Sequence, residues 1–147
     1  MGSLATIHPP FSGFPGVILV LLLGLELIFL AKLIEVEKAK SIATFLVIAL
    51  CIISPFTYFS GYFGSEYASR SFEVSQDVIK QHQFYALLFL FSLFPLSIMF
   101  YLRLIKAEYA FYYRFFLLVS LALVLITANM GGVLVFEHGA GVQLITK

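Results

Sequence analysis

Three histidines are the residues of this chain best suited to chemistry. His8 precedes the first of four long apolar stretches, His82 precedes the third, and His138 follows the fourth. If each stretch crosses a membrane once, these three positions fall on the same side of the bilayer. Imidazole is the commonest protein ligand for metals and is costly near hydrocarbon. The histidines therefore predict a ligand cluster at one rim of a helical bundle.

Small and hydroxylated residues repeat with helical spacing, mostly towards the histidine end of their stretches. Residues at offsets of three, four and seven share one face of a helix, so each series predicts an inward stripe. Such stripes permit close packing of membrane helices without any ligand. They equally leave room beside a flat cofactor held by imidazoles. We expect Gly131 and Gly132 to make space for the edge of that cofactor. The stripes are Ser54, Thr57, Gly61 and Gly64; Ser120, Thr127, Gly131 and His138; and, more loosely, Gly13, Gly16 and Gly24.

Glu26 is the only acid deep within an apolar stretch. An ionisable residue inside a membrane is a functional candidate by default. Glu26 lies about 200° around the helix from Gly24, away from the glycine stripe. Either that stripe is therefore not the inward face, or Glu26 meets a partner subunit or a proton-carrying ligand such as a quinone. The plain alternative is that Glu26 extends towards the membrane surface or pairs with Lys32 or Arg103. Glu137, adjacent to the last histidine, is a candidate to orient an imidazole.

The composition and the four stretches predict an integral membrane protein. Of 147 residues, 61% are hydrophobic and 12% are charged, with a mean hydropathy of +1.02. Soluble domains carry about twice that charged fraction. The stretches are long enough to cross roughly 30 Å of hydrocarbon, and short joins make neighbours antiparallel. We expect an all-α, single-domain, up-down-up-down four-helix bundle over residues 1–147. Its spans are about 11–34, 41–63, 83–105 and 115–136, and the outer connection, 64–81, is expected to be partly helical.

Basic residues predict the orientation. Six of them lie near the first and third joins and three on the opposite side, which puts both termini in the periplasm of a bacterial inner membrane. A net charge of +1 without a basic stripe gives no sign of nucleic-acid binding. The chain also lacks a nucleophile–base pair or phosphate loop, so a stand-alone enzyme is disfavoured. The six basic residues near the first and third connections are Lys32, Lys38, Lys40, Arg103, Lys106 and Arg114. The three on the opposite side are Arg70, Lys80 and Lys147.

The most specific string in the chain is GGVLVFEHGAGV at residues 131–142. With the segment IHPPF at residues 7–11 and with His82, it resembles the membrane-protein family called domain of unknown function 2231. The resemblance implies a four-helix membrane bundle with His8, His82 and His138 as its characteristic residues. It also implies redox work, because members of that family occur beside cytochrome modules.

Our leading hypothesis is a b-type haem electron-transfer subunit. Two of the three histidines would hold the haem near the periplasmic rim, with His82 and His138 preferred over His8. Electrons would pass between a membrane partner, such as one that uses a quinone, and a periplasmic carrier. One alternative is a non-redox site in which the three histidines and a carboxylate bind zinc or copper. Another is an accessory subunit of a larger membrane complex, with Glu26 and the many phenylalanines meeting partner helices.

Overall fold

The computed structural model describes residue 8, residues 10–72 and residues 74–137, and within these ranges every regular element is helical. A helical turn at His8, Pro10 and Phe11 precedes the first long helix. The expected all-α class is therefore confirmed for this part of the chain. The helices are α1 (Phe14–Leu30), α2 (Val36–Phe72), α3 (Gln76–Ile105) and α4 (Ala110–Phe136), and a short 3-10 helix (Ala107–Tyr109) leads into α4.

Three of these helices are long and apolar enough to cross a membrane, as far as the described residues extend: α2, α3 and α4. Helix α1 has 17 residues, or about 25 Å at 1.5 Å per residue. The first stretch, predicted to run from 11 to 34, is thus too long at both ends. Its C-terminal error has a local cause, a turn centred on Lys32.

Lys32 ends α1 in a left-handed conformation. Its φ is 58°. Among the described residues other than glycine, Lys32 is the only one with a positive φ. The Lys32 N–H donates to the Phe29 carbonyl, and the Leu33 N–H donates to the Ile28 carbonyl, both at 3.0 Å. These two bonds form a Schellman motif, which usually carries glycine at this position because a Cβ strains the left-handed backbone.

Replacing Lys32 with glycine is expected to raise the free energy of unfolding by about 1 kcal/mol, because the strain on the side chain is relieved. The matched control is Lys80→Gly, on the exposed surface of α3. There the same substitution is expected to lower the free energy of unfolding by about 1 kcal/mol. Thermal unfolding in detergent measures both changes, and a loss of stability in Lys32→Gly would contradict the interpretation.

The outer connection is far more helical than expected. Helix α2 continues through residues 64–72, and α3 begins at Gln76 after Ser75, whose hydroxyl accepts the Asp77 N–H at 3.3 Å. An ion pair between Glu66 and Arg70, 2.7 Å apart, follows the helical spacing within this extension. Hydropathy marks the apolar part of a helix, and polar residues carry the helix beyond it.

The predicted helix ends agree with the structure at Ile105 and Phe136, but several starts are too late. Helix α2 begins at Val36, α3 at Gln76 and α4 at Ala110. As a result His82 lies inside α3, six residues after its first residue, and not at its end. The predicted span 41–63 is therefore the central part of a longer helix, and 83–105 and 115–136 are the C-terminal parts of longer helices.

The helices pack around a leucine-rich core, and α3 and α4 make the most extensive contact. Leu19 and Leu22 of α1 are fully buried, together with Leu96 of α3. The opposite surfaces are apolar as well: Phe45 and Phe94, for example, are 71% and 74% exposed. Large apolar side chains on the outside mark a surface that meets lipid or another protein.

Candidate imidazole site

His8 packs against the C-terminal half of α2. Its Nδ1 lies 3.0 Å from the carbonyl oxygen of Thr57 and 3.1 Å from the hydroxyl of Ser60. Ser60 donates its own hydroxyl proton to the same carbonyl, at 2.8 Å. A carbonyl can only accept, so Nδ1 of His8 carries the proton that it donates to Thr57. The lone pair of the neutral ring is then on Nε2, which is the atom available to a metal.

Gly61 provides the space for the His8 ring. A Cβ at position 61 would lie 2.6 Å from Cε1 of His8 and 3.0 Å from Nε2. Both Gly61 and the Thr57 carbonyl belong to the small-residue stripe on α2, whose members Ser54, Thr57 and Gly64 are buried. This stripe therefore serves as a seat for an imidazole, in addition to packing helices.

The surroundings of His8 favour its neutral form. Burial lowers the pKa of this imidazole below its ordinary value of 6.5, and the hydrogen bond to Thr57 offsets part of that change. The ring is consequently uncharged near pH 7. A neutral imidazole is the form that ligates metals.

His82 of α3 faces α4. A Cβ at Gly131 would lie 3.4 Å from Cε1 of His82, and the carbonyl of Thr127 approaches the same ring. Even so, Nδ1 of His82 is buried without a well-aligned hydrogen bond to any residue in the described ranges. Buried ring nitrogens are rarely left in that state. The next glycine, Gly132, faces another direction, because a Cβ there would lie 3.9 Å from the Phe136 side chain of the same helix.

The structure brings His8 and His82 close enough to interact electrostatically. We call the group of His8, Gly61, His82 and Gly131 the histidine end. His138, which sequence reasoning preferred as the partner of His82, lies outside the described residues, and that pairing stays a prediction. Glu137 follows the last residue of α4 as an exposed cap.

The described residues contain no group of three or more histidine, cysteine, aspartate or glutamate side chains placed to hold a metal ion. Structural zinc sites have four protein ligands and catalytic zinc sites have three. The described part of the histidine end offers two imidazoles. That number matches the axial positions of a haem iron, whose other four positions are filled by the macrocycle.

Glu26 occupies the opposite end of the molecule, where it is only 3% exposed. One carboxylate oxygen accepts from Nη1 of Arg103, and the other accepts from Nε of Arg114 at 3.1 Å. The Arg103 guanidinium also lies 4.5 Å above the ring of Tyr113. We call these four residues the arginine end. The sequence suggested Lys32 or Arg103 as the partner of Glu26. The structure shows Arg103 in this role, with Arg114 and not Lys32 as the second partner.

The glycine stripe of α1 is not its inward face, which corrects the prediction from glycine spacing and agrees with the alternative that the position of Glu26 raised. A Cβ at Gly16 would lie 4.0 Å from Val124 of α4, but a Cβ at Gly13 or Gly24 would meet nothing within 4 Å. A small residue that faces away from the other helices has no packing role, so the spacing of the three glycines does not identify the interface. The buried face of α1 comprises Pro15, Ile18, Leu19, Leu22 and Glu26.

Comparison of the chain with family models, with curated proteins and with solved structures yields no match. The resemblance to domain of unknown function 2231 therefore rests on motifs of this chain alone. The function of the chain is therefore inferred from the contacts of His8 and His82.

Proposed function

We propose that this chain is a membrane-embedded electron-transfer subunit that binds haem b at the histidine end. His8 and His82 are the axial ligands in this proposal, with His138 as the alternative to His8. The supporting observation is the pair of neighbouring imidazoles, each seated on a glycine of a different helix. We also propose that the chain belongs to the family it resembles.

The membrane placement is supported by charge as well as by hydropathy. The described residues near the arginine end include six cations and four carboxylates, whereas those near the histidine end include two cations and three carboxylates. Cytoplasmic loops carry the excess of Lys and Arg. We therefore propose an up-down-up-down bundle in a bacterial inner membrane, with the histidine end and both termini on the periplasmic side.

Haem is favoured over zinc or copper by the number and state of the ligands. Two imidazoles suffice for the axial positions of haem iron, and the hydrogen bond from His8 Nδ1 to Thr57 leaves Nε2 as the ligating atom. A carbonyl acceptor behind a ligating histidine fixes its orientation and raises its basicity. When bound, haem supplies a one-electron centre whose potential depends on ligand type and burial. Burial of both rings would exclude water from that centre.

The proposed electron partners follow from the position of the histidine end. A site near the periplasmic rim is within reach of a soluble carrier on one side and of a membrane partner or quinone on the other. The side chains that would hold the haem are the ones whose contacts are described above.

Absorption spectra of the detergent-solubilised protein, oxidised and then reduced with dithionite, test the proposal. We expect reduced-haem bands in the wild type and their loss in His8→Ala and in His82→Ala, because each variant removes one axial ligand. Gln81→Ala, an exposed neighbour of His82 on α3, is the matched control and is expected to keep the bands. Added imidazole should restore them in the alanine variants, because free imidazole can replace the missing axial ligand.

Two results would overturn the assignment. Bands that persist in both histidine variants would remove His8 and His82 from the haem site. A wild type without haem bands that contains zinc or copper at one ion per chain would replace haem by the metal alternative. Loss of the bands in His138→Ala and not in His8→Ala would exchange one ligand and keep the function.

A further inference from the structure

A cavity of about 330 Å³ lies at the arginine end, where α1 and α3 finish and α2 and α4 start. Its charged wall consists of Lys40, Arg103 and Arg114. Apolar side chains, among them Val36 and Leu104, form much of the remainder. The volume is at the small end of the range of ligand pockets, which is about 300–1,000 Å³. A cavity of this kind has room for a headgroup or a small anion.

The cavity carries more positive than negative charge. Glu26 is shared by two guanidinium groups, each of which has five N–H donors. Arg103 and Arg114 therefore have N–H donors that Glu26 does not use. Together with the carboxylate they carry a net charge of one positive unit. Lys40 adds a third cation, although its ammonium also contacts Glu37 on the surface at 3.0 Å.

Backbone dipoles add to this potential. Helices α2 and α4 both begin at the cavity, and Val36 and Ala110, their first residues, line it. The N-terminus of a helix carries a partial positive charge from its unpaired N–H groups. At α4 the preceding 3-10 helix pairs the first N–H group, that of Ala110, with the Ala107 carbonyl. The α2 terminus beside three cationic side chains therefore favours an anion, and phosphate oxygens are the acceptors that arginine forks fit best.

We propose that this cavity binds a phosphate group, supplied by the headgroup of an anionic lipid such as a phosphatidylglycerol. The apolar wall suits the glycerol and first methylene groups of a lipid, which inorganic phosphate lacks. Basic pockets between membrane helices on the cytoplasmic side have this specificity. The inference rests on the membrane placement in the proposed function and is independent of haem.

The test uses two lysines of α2 in matched settings. Lys40 lines the cavity and pairs with Glu37, whereas Lys38 pairs with Glu35 at 3.1 Å and does not line it. Native mass spectrometry of the delipidated protein gives the affinity for short-chain phosphatidylglycerol and phosphatidylcholine. We expect Lys40→Gln to weaken binding of phosphatidylglycerol about fivefold, the usual effect of one cation near a membrane surface. Lys38→Gln should bind like the wild type, and phosphatidylcholine should bind all three proteins weakly.

A second arm separates the two sources of phosphate. If inorganic phosphate alone raises the melting temperature of the wild type and not of Lys40→Gln, the site is supported and its ligand is free phosphate. Equal binding of phosphatidylglycerol by the wild type, Lys40→Gln and Arg114→Gln, with no effect of inorganic phosphate, would overturn the proposal. The haem spectrum of Lys40→Gln should equal that of the wild type, so failure of this site and failure of the haem site are distinguishable.

Discussion

Replacing Glu26 with glutamine is expected to lower the free energy of unfolding by about 3 kcal/mol. The substitution keeps the size of the side chain and removes the charge that compensates both Arg103 and Arg114. The side chain of Arg103 is only 11% exposed, so its charge would remain buried without a counter-ion, which is the costly case. For a chain of this size the melting temperature would fall by roughly 10 °C. Thermal unfolding in detergent, followed by circular dichroism, measures the change.

The same substitution on the surface provides the control for Glu26→Gln. Glu37 pairs with Lys40, but the side chain of Glu37 is 84% exposed and that of Lys40 is 41% exposed. Exposed pairs contribute about 0–1 kcal/mol, so Glu37→Gln should melt close to the wild type. A Glu26→Gln protein as stable as Glu37→Gln would show that the buried ion pairs contribute nothing measurable.

A double variant separates the effect of charge from that of packing. Glu26→Gln combined with Arg103→Gln removes the acid together with its more buried partner. The remaining Arg114 side chain is 35% exposed, so it can reach solvent or headgroups. We expect the double variant to be more stable than Glu26→Gln alone, which is the coupling that a double-mutant cycle measures.

The course of the helices could be predicted from the sequence, and so could the C-terminal ends at Ile105 and Phe136, but the other boundaries could not. Hydropathy reports the transfer of side chains into hydrocarbon, and it therefore marks the apolar parts of α2, α3 and α4. It does not register the polar residues after Gly64, which extend α2 through ion pairs such as that of Glu66 with Arg70. Nor does it anticipate that Lys32 adopts the left-handed turn that ends α1, because glycine is the usual signal for that motif.

The candidate site was predictable to the extent that spacing along one helix determines which residues share a face. The stripes on α2 and α4 contain Gly61 and Gly131, the two glycines that contact the imidazoles. On α1 the same reasoning fails, because Gly13 and Gly24 face outward while leucines fill the interface. Contacts between helices depend on rotation about each helix axis, which spacing alone does not determine. The sequence likewise places Arg114 on the same side as Glu26 but does not identify it as a partner of that carboxylate.

Gly61→Ala is the second substitution with a large expected effect, because it tests directly how His8 is held. The new methyl group would lie 2.6 Å from Cε1 of His8 and 2.9 Å from Nδ1, so the ring has to leave its seat. The imidazole would then lose its hydrogen bonds to Thr57 and Ser60. We expect overpacking and these losses to cost about 2 kcal/mol, partly offset by about 1 kcal/mol from the higher helix propensity of alanine. Haem binding, if His8 is a ligand, should fall with the displacement of the ring.

Gly24→Ala is the matched control, since a Cβ there would meet nothing within 4 Å. It should show the gain in helix propensity alone, up to about 1 kcal/mol of stabilisation. The decisive comparison is Gly61→Ala in a His8→Ala background. In that background the imidazole ring is absent, so the new methyl group at position 61 no longer clashes with it. The substitution should then be neutral or stabilising. If Gly61→Ala were equally harmful with and without the His8 ring, the glycine would be needed for contact between helices and not as a seat for the imidazole.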